Sequence, residues 1–283
     1  AAAQPAFQCS GPIYSIDQST RAISKIDLAT GTVTPNGQFK TQPDGGVVNG
    51  LALQPGGGQY IWGLDRTNSN VVRYDAVSET TTTFPTKSLA AGAAVVAGGI
   101  NPVTGIYYYA VGGTTWKLYA FDIASGTDIG QVATIGKLGT NGDLAFDSLG
   151  NMYVVSNNTP SAGGTLMRVD APLPTTAGTT ALTANLVSDK MPANRGQYTS
   201  VALGADGRLI IGSLVPQNAG GGSWILQVDP ETGTVLDEKR LSISIADLAS
   251  CAFPNTLRAQ KVLPDNRLKE TDQFTLSVSQ IDP

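Results

Sequence analysis

The chain has 283 residues, 33 of them Gly, two Cys and no His; 14% are charged and the net charge is −4. Without His there is no Ser-His-Asp or Cys-His nucleophile system and no His-bound zinc or haem. An acidic balance without a basic surplus argues against a nucleic-acid partner, and no apolar run approaches the 18 residues of a membrane span, so no membrane insertion is expected.

From the N-terminus, Ala1-Ala2-Ala3-Gln4 are small residues of the kind left by signal-peptide cleavage or by a cloning scar. Residues 13–17 read as a strand, and Ser24-Lys25-Ile26-Asp27-Leu28-Ala29-Thr30-Gly31 begins a pattern that recurs: an alternating apolar run, a hydrophobe, Asp, then a turn. It returns at Asp75, Asp122, Asp170 and Asp229, at spacings of 48, 47, 48 and 59. In the second copy the strand-like segments are 48–53, 60–64, 71–75 and 80–84, separated by turn material such as Gln54-Pro55-Gly56-Gly57-Gly58. Four strands in a repeat near 50 residues are the pattern of a β-propeller blade. The expected fold is therefore all-β, a five-bladed β-propeller over residues 1–254.

The first copy lacks an opening strand and the last copy has only that strand, at 246–252. The two halves complement each other, so the closing strand is expected beside Ile13-Tyr14-Ser15-Ile16. Closure removes an exposed sheet edge. It also brings Cys9 close to Cys251, which predicts a disulfide clamp of structural purpose, on the order of 4–5 kcal/mol by chain entropy. The small residues of the opening strands, such as Gly50, Gly98 and Ala145, suit a crowded axis, and the aromatic residues of the following strands suit packing between blades. Two long connections, 171–195 and 215–222, interrupt the last copies; long loops on a rigid ring are where binding often lives.

Polar residues at the starts of the innermost strands are the candidate site: Asp143 and Asp247, in matching positions of two blades, with Asn49, Asn141, Thr199, Ser200 and Asp44. Three readings stand side by side. The carboxylates accept backbone N–H bonds and are structural. Or they hold a cation such as Ca²⁺ together with carbonyls, no other cofactor being expected. Or they act as acid and base on a glycoside. The repeated Asp27, Asp75, Asp122, Asp170 and Asp229 read as Asx-turns rather than as metal ligands.

Residues 255–283 depart from the pattern. Eight of the 29 are charged, and two strand-like runs, 256–263 and 273–278, are too little to bury a core alone. The segment is expected to be a strand-rich extension: a linker, a hairpin on the propeller, or the start of a β-sandwich. The repeat style (Ile13-Tyr14-Ser15-Ile16-Asp17, then Lys25-Ile26-Asp27-Leu28-Ala29-Thr30-Gly31) and the ending Asp247-Leu248-Ala249-Ser250-Cys251 resemble the uncharacterised propeller domain of bacterial surface and secreted adhesin-like proteins. Lys261-Val262-Leu263-Pro264 and Asp272-Gln273-Phe274-Thr275-Leu276 resemble the opening strands of the β-sandwich stalk repeats that follow such propellers. The resemblance implies a secreted or cell-surface location and a monomeric module within a larger chain. It further implies a non-catalytic recognition or adhesion role toward a host or cell-surface glycan or protein. A glycoside hydrolase and a purely structural tip domain are the rival expectations.

Overall fold

The computed structural model describes residues 6–17 and 19–254; the expectations for residues 1–5 and 255–283 lie outside the described residues. The fold is all-β, with five blades of four strands. Blade 1 contributes β1 (Ile13–Ile16), β2 (Ala22–Ile26) and β3 (Val33–Gln38). Blade 2 is β4 (Val48–Ala52), β5 (Tyr60–Asp65), β6 (Asn70–Asp75) and β7 (Thr80–Pro85); blade 3 is β8 (Val95–Ile100), β9 (Ile106–Val111), β10 (Thr115–Asp122) and β11 (Thr127–Gly136). Blade 4 is β12 (Asn141–Phe146), β13 (Met152–Asn157), β14 (Gly164–Val169) and β16 (Asn185–Met191), with β15 (Thr180–Leu182) between the last two in sequence. Blade 5 is β17 (Gln197–Leu203), β18 (Leu209–Leu214), β19 (Ser223–Val228) and β20 (Val235–Leu241).

The chain then returns to blade 1. Strand β21 (Asp247–Ala249) pairs antiparallel with β1, with Tyr14 opposite Ala249, Ser15 opposite Leu248 and Ile16 opposite Asp247. The innermost strands β21, β4, β8, β12 and β17 neighbour one another around the axis. Cys9 and Cys251 are bonded at 2.01 Å, joining positions 242 residues apart. Gly57, at φ +69°, is needed beside this bridge: a Cβ there would stand 2.5 Å from the Phe7 carbonyl oxygen and 3.0 Å from the Cys9 sulfur. Phe7 pairs with Gly58 as an isolated bridge and sets its ring edge-on to Tyr14 at 5.0 Å, so the N-terminal strap seals against blade 2.

Burial divides into five apolar clusters, each drawn mainly from one pair of adjacent blades. Alternation along each strand explains this, because successive side chains point to the blade before and the blade after. Tyr107 and Tyr109 pack toward blade 2 while Tyr108, between them, packs toward Phe146 of blade 4. The sequence reading places the aromatic residues of the second and third strands in the inter-blade core; Trp62, Trp116, Tyr107, Tyr108, Tyr109 and Tyr119 are buried there, and Trp224 is half-buried against the same core. The connection read as the long loop 171–195 holds more order than expected. Its β15 runs parallel to β11 and adds a fifth strand to the rim of blade 3, and β16 completes blade 4. Its polar, Thr-rich sequence lacks strand alternation, which is why periodicity missed it.

Candidate functional site

The axis is where the first strands converge, and it is divided into two halves. Toward the C-terminal ends of these strands, three residues from each blade, such as Leu51–Leu53 and Leu144–Phe146, line a cavity of about 30 Å³ with Phe253 at its edge. That is room for about one water molecule. One residue further in, the lining turns polar in three blades: Asp143, Ser200 and Asp247 each directly precede a cavity residue.

Asp143 and Asp247 are both fully buried. The Asp143 carboxyl accepts the Gly98 amide of blade 3 at 3.2 Å and the Val201 amide of blade 5 at 2.7 Å. The Asp247 carboxyl accepts the Leu51 amide of blade 2 at 2.7 Å and its neighbour's, Leu248, at 2.7 Å. The two carboxyl groups, from blades 4 and 1, also hydrogen-bond to each other. Two carboxylates in hydrogen-bond contact cannot both stay ionised in a dry interior, so the pair shares a proton. Burial is the largest cause pushing both upward. The charge of Asp247 adds to it at Asp143, while the bond between the two carboxyl groups and the surrounding amides restrain the rise at Asp247, so the proton belongs to the pair. Every blade thus contributes to one axial network. A cation at this pair would have to displace the shared proton and take oxygens already given to amides.

Blades 2 and 3 have Gly50 and Ala97 where the others have carboxyl or hydroxyl groups, and Tyr107 fills the space. Its hydroxyl donates to the Gly50 carbonyl oxygen at 2.6 Å, and burial first, then the Asp247 charge, raise its pKa. A Cβ on Gly98 would lie 2.7 Å from the Gly50 Cα, so both strands close only as glycine. The sequence reading found Asp143 and Asp247 through their matched positions but missed Tyr107, whose signal is two opposing glycines that leave a gap at the axis.

The remaining candidates are spread out. Ser200 is fully buried, with its hydroxyl unpartnered. Asn49 is buried, donating from Nδ2 to the Val95 carbonyl oxygen at 3.3 Å with Oδ1 unpartnered. Thr199 donates to the Ile245 carbonyl oxygen at 3.0 Å, and Asn141 accepts the Gly142 amide. Asp44 stands apart on the loop before β4, its side chain 85% exposed and paired with Arg21 at 3.0 Å. Among the described residues, no three His, Cys, Asp or Glu gather into a group fit for a metal ion.

The repeated aspartates follow the Asx-turn reading. Asp27, Asp75, Asp122 and Asp229 each accept the amides two and three residues on. These bonds stabilise the carboxylate: the Thr30 amide lowers Asp27, and the Ser125 hydroxyl, with the turn amides, lowers Asp122. Asp170 differs, pairing with Arg168 at 2.9 Å before the β15 connection.

The large concavity lies off the axis. A cleft of about 650 Å³ opens between blades 4 and 5, lined by the turns at Asp147–Asn151, Asp206–Arg208 and Asp229–Glu231, with Tyr153 and Arg168 from the strands, Leu149 and Leu236, and Pro254 at its rim. The sequence reading named none of these as site residues. Their signal was only that turns of two adjacent blades face each other.

No protein-family profile and no curated protein matches the sequence. Solved structures share the architecture at low identity. The chain is similar to a component of a nidogen/laminin complex (15% identity, 87% of this chain and 85% of that one, TM-score 0.53). It is also similar to a Bacteroides caccae protein of unknown function (12%, 81% and 73%, TM-score 0.45) and to a proposed gluconolactonase (12%, 87% and 82%, TM-score 0.48). At these identities the likeness defines the class, a β-propeller, and nothing finer.

Proposed function

We propose that this chain is a non-catalytic recognition module of an exported protein. The observation that carries the reading is the state of Asp143 and Asp247. Among the described residues they are the pair of carboxyl groups that the matched blade positions bring together at the axis, and they are fully buried with their oxygens engaged by amides of other blades. Glycoside chemistry needs two carboxyl groups open to a sugar, one to protonate and one to attack or activate water. A pair that shares its proton and braces five strands has neither group to spare. The disulfide fits an oxidising compartment, and the propeller of the nidogen/laminin complex offers a precedent for a propeller in a protein–protein assembly.

The test is a glycan and extracellular-protein array probed with the full chain, with and without Ca²⁺, beside a turnover screen on glycosides and lactones. Binding without turnover supports the reading. Hydrolysis abolished by Asp143→Asn overturns it and restores the enzyme; an array with no ligand also counts against recognition.

A further inference from the structure

The antiparallel blades send their turns alternately to two faces of the ring, and charge is distributed unequally between them. One face carries the first-to-second and third-to-fourth strand turns. There the five repeat aspartates join Glu79, Asp147, Asp206 and Glu231 against Arg208, a balance of −8 among the described residues. The other face carries six bases against Asp17, Asp44 and Asp65, a balance of +3. Three bases stand two residues inside strands next to the acidic face, and each is taken up locally. Arg73 lies over the Tyr60 ring at 4.2 Å, Arg168 pairs with Asp170, and Lys25 reaches the Gln8 side chain.

The same face holds the exposed aliphatic side chains. Among the described residues five large hydrophobic residues are exposed, and all lie in its turns or within two residues of them: Val77, Val103, Leu149, Leu186 and Leu236. Leu149 is 70% exposed, and with Leu236 it borders the 650 Å³ cleft, whose walls carry four carboxylates, Asp147, Asp206, Asp229 and Glu231, against two guanidinium groups, Arg168, paired with Asp170, and Arg208, paired with Asp206 at 3.4 Å. Apolar side chains held out on an acidic face around a concavity are the anatomy of a recognition surface.

We propose that this acidic face, centred on the cleft between blades 4 and 5, docks a polypeptide segment in which Lys or Arg side chains alternate with aliphatic ones. The aliphatic groups meet Leu149 and Leu236, and the cations meet the cleft carboxylates. Long-range attraction by the −8 face speeds encounter and turns away acidic partners. The inference rests on the recognition reading above and adds the face and the chemistry of the partner.

The experiment uses the full chain and three ten-residue probes followed by fluorescence anisotropy: alternating Leu-Lys, alternating Leu-Glu and all-Lys. The alternating Leu-Lys probe is expected to bind, weakening as salt rises from 20 to 150 mM. The Leu-Glu probe is expected not to bind, and all-Lys to bind at least tenfold more weakly. The double variant Leu149→Ser/Leu236→Ser and the double variant Asp147→Lys/Asp206→Lys should each weaken Leu-Lys binding at least tenfold. Thermal unfolding of each variant, and the single variant Leu149→Ser in an exposed turn, separate loss of the surface from loss of the fold. Equal binding of all-Lys and Leu-Lys, or binding indifferent to both double variants, overturns the proposal by reducing it to bulk charge attraction. Absence of Leu-Lys binding overturns it too, as does self-association of the chain through its opposite, basic face. An array ligand whose binding ignores these variants defeats the face assignment and leaves the recognition reading standing; an empty array defeats that reading instead.

Discussion

Aspartate is used in two opposite ways in this propeller. At the axis, Asp143 and Asp247 are fully buried, raised in pKa by loss of water, and tied to amides of other blades. In the turns, Asp27 is exposed and Asp122 half-buried; both are lowered chiefly by hydrogen bonds from their own turn's amides and hydroxyls. The side chain is the same; what differs is whether its oxygens close a local loop in water or a long-range contact without it. The lesson is that a repeated aspartate marks a local rule, and an unrepeated one in a repeat marks a place where the blades differ for a reason.

The sharpest way to break the comparison is Asp143→Ala. It leaves the Gly98 and Val201 amides unpartnered in a dry interior and strands the Asp247 carboxyl, and should cost about 3–5 kcal/mol in chemical denaturation. A cost below about 1 kcal/mol would mean that the axial pair braces nothing. Gly98→Ala attacks the same place by crowding: its methyl would press on the Gly50 backbone, with a loss of about 1–3 kcal/mol in the same measurement.

The pH dependence of stability sharpens the contrast further. For the axial pair, with folded pKa values raised, the folded chain holds protons that the unfolded chain has lost above about pH 4. Their contribution falls as pH rises, by at most about 1.4 kcal/mol per pH unit for each proton held. For the turn aspartates, with folded values lowered, the contribution is present above about pH 4 and is lost as pH falls below it. The melting temperature should therefore peak in mildly acidic solution. The double variant Asp143→Asn/Asp247→Asn should flatten the fall on the alkaline side and leave the acid side unchanged. A wild-type profile rising steadily to pH 8 would contradict the shared proton. The smallest effect is Asp122→Ala, which removes one exposed turn's bonds and should cost less than about 1 kcal/mol by thermal melt.

Much of the fold was legible because its signals are local and repeat. The Asp-turn pattern marks the third strand of each copy, Gly and Asn mark the turns, and the missing opening strand of the first copy matches the surplus one of the last. From that register alone Cys9 and Cys251 fall together. The site was legible only in part. Asp143 and Asp247 stood out by matched position, but their contact depends on the diameter of the ring, which no local pattern encodes. Asp44 lies four residues before an innermost strand rather than within one, and its loop turns outward to Arg21. The short parallel strand Thr180–Leu182 forms by pairing with Ala133–Ile135, nearly fifty residues away, and its own Thr-Ala-Leu has no periodicity to announce it.

The bridge between Cys9 and Cys251 has a mechanical consequence. Its two Cα atoms are 4.7 Å apart, so the chain enters and leaves the ring at almost the same point. Tension applied from outside both cysteines crosses that short link and bypasses the residues of all five blades. The propeller is then an ornament hung on a load path rather than a length of it, and tension across the two cysteines leaves residues 10–250 unextended until the sulfur bond is reduced.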